Sequence, residues 1–229
     1  MLWYKGWFET RFKIIVALGF GLFFVFTLRN ANAMSTAALE GSISVLAFYW
    51  ALMPFLLAGA GIRTQASFGP NKGLHGSTYF TLSMPVSRLR LLAVRSALGM
   101  LEMAGVVACL CFVVWSAVPA FRADFTGLDM LAYWAAVCVC TSGFYFMSVL
   151  LATFFEEPWS IWASMLAVGL LRWLLPKVSA LPSVDLFQAM GKSSPLFTHT
   201  FPWASMGISL SAAAVLFFTA MRVVQTHEY

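Results

Sequence analysis

Between Phe12 and Leu28 the chain holds a single charge, Lys13. Runs of this kind return five more times, and the apolar segments fall at 12–28, 42–62, 93–118, 129–153, 159–175 and 203–221. The hydrocarbon core of a bilayer takes about 20 apolar residues of helix, with about 17 tolerated. Lipid offers the backbone no hydrogen-bond partners, so a spanning segment must satisfy its own N–H and C=O groups, as a helix does. The chain therefore reads as all-α and polytopic, with six transmembrane helices in one transmembrane domain, 1–229. Hydrophobic residues make up 61%, charged residues 10%, and mean hydropathy is +0.83. A soluble domain averages ~25% charged residues. The net charge of +5 then belongs to topology rather than to nucleic-acid binding. Lipid is an expected partner and nucleic acid is not.

Lys and Arg set the orientation, because cytoplasmic loops carry them in excess. One side holds Lys5, Arg11, Lys13, Arg63, Lys72, Arg88, Arg90, Arg95 and Arg222. The other holds Arg29, Arg122, Lys177 and Lys192, with Arg172 close to it inside the fifth span. The richer side is the cytoplasm, and an even number of crossings leaves both termini there. No convincing cleavage region follows the first span, although Ala31-Asn32-Ala33 is a weak candidate, so that span reads as a retained helix.

Residues 1–12 place Trp3, Tyr4, Trp7, Phe8 and Phe12 at helical spacing, with Lys5 and Glu9 elsewhere. This pattern is an amphipathic interfacial helix with an aromatic belt. It reads either as a plain anchor for the first span or as an elbow packed against a cytosolic partner. The outer loop 176–202 has Ser183 placed to cap a short helix through Met190, Gly191 to end it, and Pro182 and Pro195 around it. One or two short surface helices are expected there.

Catalytic chemistry finds no constellation. His75, His199 and His227 are scattered, and no His, Cys or acid cluster has metal-ligand spacing. Gly191-Lys192-Ser193 resembles the end of a phosphate-binding loop, but the required glycine five residues before Gly191 is Leu186. Cys109, Cys111, Cys138 and Cys140 all lie in apolar spans. Residues two apart on a helix point about 200° apart, so neither Cys-x-Cys pair bridges itself or shares a ligand, and small buried hydrophobes is the simpler reading. No catalytic, cofactor-binding or metal residues are expected in this chain. Any ATPase would be a separate chain.

One polar, basic insert interrupts the apolar pattern. It opens on Gly69, Pro70, Asn71, Gly73 and Gly76, passes through Ser83-Met84-Pro85-Val86-Ser87, and reaches Arg88, Arg90 and Arg95 at the next span. The inner turn between the fourth and fifth spans is Glu156-Glu157-Pro158-Trp159. Pro158 suits the first position of the fifth helix and the two glutamates suit its N-terminus. Two charges lie within spans. Glu102 is about two turns into the third, and Arg172 is near the outer end of the fifth. Intramembrane charges are costly and usually meet a partner or a wet cavity. Arg172 can snorkel outward, whereas Glu102 is too short to do so. A direct pair between them is possible but not favoured by their depths.

In layout the chain resembles the permease subunits of bacterial ATP-binding-cassette exporters, the ABC-2-like, type V architecture. The amphipathic start WYKGWFETRFK, the segment FTLSMPVSRLRLLAVRSALGMLE, and six spans with a long outer loop between the fifth and sixth carry the resemblance. Motif-level specificity is confined to about residues 76–102. Many members place an acidic-rich stretch before Ser-x-Pro-x-Ser, where this chain has FGPNKGLHG.

The resemblance implies that 63–92 is a cytoplasmic coupling loop, which transmits closure of an ATPase dimer to the helices. Gly76 and Pro85 would delimit a short helix seated in an ATPase groove. Ser77 and Thr81 lie on that segment, Tyr79, Phe80 and Leu82 anchor it, and Arg88 and Arg90 meet acidic groups. Anchoring to lipid headgroups is the alternative for the arginines, and for Arg95 at least an equal one. Glu156 and Glu157 would offer a second ATPase contact. Glu102 matches an acidic position that often follows the coupling segment. The implied partners are a cytosolic ABC ATPase, which carries ATP and Mg, and a second copy or a related permease. The implied location is the bacterial cytoplasmic membrane, and the implied cargo is hydrophobic or amphipathic. An ion-coupled secondary transporter and a non-transporting membrane assembly protein are the alternatives.

Overall fold

The computed structural model describes residues 2–30, 36–58, 87–155, 157–174, 177 and 185–226. Among these residues the chain forms helices and no strand: α1 (Leu2–Asn30), α2 (Thr36–Leu57), α3 (Arg88–Ala117), α4 (Pro119–Asp124), α5 (Gly127–Phe154), α6 (Glu157–Leu174), α7 (Leu186–Met190), α8 (Pro195–Thr198) and α9 (Trp203–Thr226). Four stretches are long and apolar enough to cross a bilayer: Glu40–Leu57, Leu89–Ala117, Gly127–Phe154 and Trp203–Thr226. Trp159–Leu174 is a shorter apolar helix, and the sixth apolar run, 12–28, lies within α1.

Large apolar side chains cover the outside of the bundle as well as its interior. Phe20, Phe23, Phe26, Leu131, Trp162, Leu166, Trp203 and Phe218 are all exposed. Water would not tolerate such a surface over several helices, whereas acyl chains solvate it. Among the described residues the protein is all-helical, with the apolar helices of a multi-pass membrane protein.

The amphipathic start and the first apolar run form one helix, with no break near residue 12. Local chemistry explains most of the remaining boundaries. Ser87 caps α3, its hydroxyl accepting from the Arg90 N–H at 3.3 Å. Thr126 and Asp129 close a reciprocal capping box at the start of α5. Pro119 opens α4, where its missing N–H costs nothing. Pro158 is the second residue of α6, one position later than its expected place.

The α5 helix is the hub, packing on α9 most extensively and also on α3, α2 and α6. Without a hydrophobic force between helices in lipid, close approach depends on small residues and interhelical hydrogen bonds. At the α5–α9 crossing Ser209 lies against Gly143. Its hydroxyl accepts from the Gly143 N–H at 3.1 Å and donates towards the Cys140 carbonyl at 2.9 Å. A Cβ at Gly143 would stand 3.0 Å from that hydroxyl. Elsewhere the aromatic polar tips join the helices. Tyr49 donates to the Ala17 carbonyl at 2.6 Å, tying α2 to α1. Trp50 donates to the Tyr133 hydroxyl at 3.0 Å, and Tyr133 donates to the Met190 carbonyl at 3.1 Å, joining α2, α5 and α7.

Candidate functional site

The α1 and α3 helices run in the same direction. Thr10 meets Glu102 near one end, and Gly21 faces Leu110 further along. This register decides the depth of Glu102. On α3 it lies fourteen residues beyond Arg88, about 21 Å at 1.5 Å per residue. On α1 its level is that of Thr10, two residues before the apolar run 12–28. Glu102 therefore lies level with the ninth residue of α1, although it is the fifteenth of the 30 residues of α3.

Its side chain is nevertheless buried, at 7% exposure. The buried Thr10 hydroxyl donates to Oε1 at 2.5 Å, while Oε2 has no hydrogen-bond partner among the described residues. Lys13, one turn beyond Thr10, is close enough for its charge to act on the carboxylate. Tyr145 of α5 closes a third side, reaching so near the α3 backbone that a Cβ at Gly99 would collide with its hydroxyl. Beside the carboxylate lies a cavity of about 310 Å³ between α1 and α3, lined by Trp7, Ile14, Leu98, Leu101, Val106 and Cys109, among others. Oε2 is sealed from solvent, and a buried polar atom left unpaired costs about 1–3 kcal/mol.

Arg172 lies at the opposite end, where α6 finishes. Its guanidinium stands over the Phe48 ring of α2 at 5.5 Å and the Phe187 ring of α7 at 5.3 Å. It borders a cleft of about 450 Å³ at that end with Ser44, Asp185, Gln188 and Lys192. The two intramembrane charges do not meet, since Glu102 is engaged by α1 and Arg172 by α2 and α7. The same end is stitched by Lys192 to Glu40 at 3.8 Å and His199 to Asp129 at 3.5 Å. Asp185, not Ser183, caps α7, accepting from the Phe187 N–H at 2.9 Å, and Gly191 ends the helix. Ser183 itself lies outside the described residues.

Of the expected ATPase-contact residues, Ser77, Tyr79, Phe80, Thr81, Leu82, Pro85 and Glu156 lie outside the described residues. Arg88 and Glu157 are the first residues of α3 and α6, and Arg90 is exposed in the first turn of α3. Arg95 is buried, at 7% exposure, and engaged within the fold. Its surroundings are protein rather than a lipid headgroup layer. All four cysteines are free thiols, Cys109 exposed and Cys111 and Cys140 buried.

Sequence reading missed Thr10, because a lone threonine between Glu9 and Arg11 carries no periodic signal. It also missed Tyr145, whose only distant clue is the small residue at Gly99. Comparison with protein-family models, with curated proteins and with solved structures returns no match. The site therefore stands on its own geometry.

Proposed function

We propose that this chain is the membrane-spanning subunit of an ATP-driven exporter of the ABC-2-like, type V kind. In this reading it crosses the bacterial cytoplasmic membrane six times with both termini inside. It pairs with a second copy or a related permease, and a separate cytosolic ATPase carrying ATP and Mg drives it. The cargo is hydrophobic or amphipathic.

One observation carries the reading: the polar, basic insert runs through Ser-Met-Pro-Val-Ser and Arg88 straight into a long helix. The local mechanics support it. Ser87 caps a continuous helix of 30 residues, and that helix packs on both α1 and α5. A displacement applied at Ser87 is delivered along α3 to the bundle, because a capped helix transmits load along its axis. The turn before α6 lies at the same end, since α5 finishes there, and offers a second point of grip.

The test is purification from native membranes. The complex should contain an ATPase subunit and show vanadate-sensitive hydrolysis, while the isolated chain binds no nucleotide. Tight ATP binding by this chain alone would overturn the reading. The buried, half-satisfied Glu102 favours a second reading, ion-coupled transport. In that case the purified chain alone would move cargo down an imposed proton gradient with no ATPase present.

A further inference from the structure

We propose that the cleft bordered by α2, α6 and α7 is a site for a singly charged phosphate diester, with the Arg172 guanidinium as its principal donor. The inference needs α6 to end at a membrane surface and is independent of the exporter reading. Arg172 lines the cleft, yet among the described residues it meets no carboxylate and no hydrogen-bond acceptor, not even Asp185 on the same lining. Its contacts are two rings brought by other elements, Phe48 of α2 at 5.5 Å and Phe187 of α7 at 5.3 Å. A ring attracts the charge but leaves the N–H fork available for an oxygen acceptor. Arg122 at the same end gives the contrast, since it donates to the Ser116 carbonyl at 2.8 Å. The other charges of the lining are already engaged. Lys192 pairs with Glu40 at 3.8 Å, and Asp185 Oδ1 accepts from the Phe187 N–H at 2.9 Å. Arg172 is thus the cation of the cleft without a counter-ion among the described residues. The volume of about 450 Å³ lies within the ~300–1,000 Å³ typical of ligand sites.

The chemistry of the occupant follows. A guanidinium presents its N–H donors in a planar fork that matches two oxygens of a phosphate, and the rings that hold it leave less freedom to be lost on binding. Gln188 and Lys192 add donors on the same lining, which suits a group with more oxygens than the fork alone engages. Asp185 stands against a second negative charge on the ligand, so a diester suits the lining better than a dianion. The place in the fold agrees. Arg172 is in the last turn of α6. Trp173 beside it is 59% exposed, with the Lys177 ammonium 3.3 Å from its ring. Trp and Lys at the end of an apolar helix mark the headgroup level of a bilayer. Phosphate diesters reach that level from two sources, a phospholipid of the bilayer or a soluble ester from the water.

The test is binding to the full chain in maltoside micelles, which contain no phosphate, with phosphatidylglycerol bearing a fluorescent acyl chain as the probe. Anisotropy should report saturable binding that unlabelled phosphatidylglycerol reverses and diacylglycerol does not. Arg172→Gln removes the charge and the fork and should weaken binding about tenfold, roughly 1.4 kcal/mol. Arg172→Lys keeps a charge and loses the fork, and should weaken it about threefold. Should Arg172→Gln fail to fold, Arg172→Lys still decides the matter. Arg122→Gln removes an exposed cation at the same end but outside the cleft, and should leave the affinity unchanged. Deacylated phosphatidylglycerol, the headgroup diester without its chains, separates the sources. Displacement of the probe at matching concentration assigns the site to a soluble ester, and displacement by the intact lipid alone assigns it to the bilayer. Unchanged affinity in either Arg172 variant, an equal loss in Arg122→Gln, or displacement by diacylglycerol overturns the inference.

Discussion

Thr10 holds one oxygen of Glu102, and the other oxygen is buried without a hydrogen-bond partner among the described residues. Substitutions at this residue therefore divide by what they keep. Glu102→Gln retains a carbonyl for the Thr10 hydroxyl and the same volume, so thermal unfolding in detergent should shift little. Glu102→Ala removes the acceptor and enlarges the cavity, leaving the buried Thr10 hydroxyl without its nearer acceptor. It should destabilise by about 1–3 kcal/mol, read as a lower unfolding temperature. Equal unfolding temperatures for Ala and the parent would show that the Thr10 bond contributes nothing. If transport is proton-coupled, Gln should assemble normally and fail to transport.

At the scale of elements, two junctions have separable energetics. The α5–α9 crossing depends on the absence of a side chain at Gly143, where Ser209 is both donor and acceptor to the α5 backbone. Gly143→Leu should force the helices apart and cost about 1–3 kcal/mol, as overpacking does, with α9 the first element to gain hydrogen exchange. Ser87→Ala removes the α3 cap and should cost about 1 kcal/mol. Its effect should be confined to faster amide exchange in the first turn of α3, around Arg90. Global unfolding by Ser87→Ala would mean that the cap holds more than one helix end.

Among the described residues the molecule is a bundle whose α1 start, α3 start and α5–α6 turn share one end, while Arg172 and the short helices α4, α7 and α8 mark the other. The exporter reading places the first of these ends in the cytosol. Cysteine introduced at Ser77 or Thr81 should therefore react with an impermeant maleimide only in inside-out vesicles. Labelling should fall once an ATPase subunit is bound. Reaction from the outside of intact cells would overturn both the orientation and the coupling role.

The chain alone determined its solvent and its secondary structure. Apolar runs of bilayer length admit only helices, and the six runs lie within α1, α2, α3, α5, α6 and α9 apart from a few terminal positions, Ala58 and Val118 among them. Pattern and spacing act locally, so they also marked Glu102 and Arg172 as charges needing an explanation. What they need was decided by the tertiary structure. Counting along α3 puts Glu102 well inside a span, whereas the parallel register with α1 raises it to the level of Thr10. That register is set by contacts between residues 92 positions apart, which no local pattern encodes. The same is true of Tyr133, whose hydroxyl joins Trp50 to the Met190 carbonyl. Burial of Arg95 likewise came from packing, since a basic residue near a span reads as an interfacial anchor until a neighbouring helix covers it. Capping showed an intermediate case. Candidate cap residues crowd the outer loop, and only the backbone geometry selected Asp185 over Ser183, because a cap must reach the N–H groups two and three positions ahead.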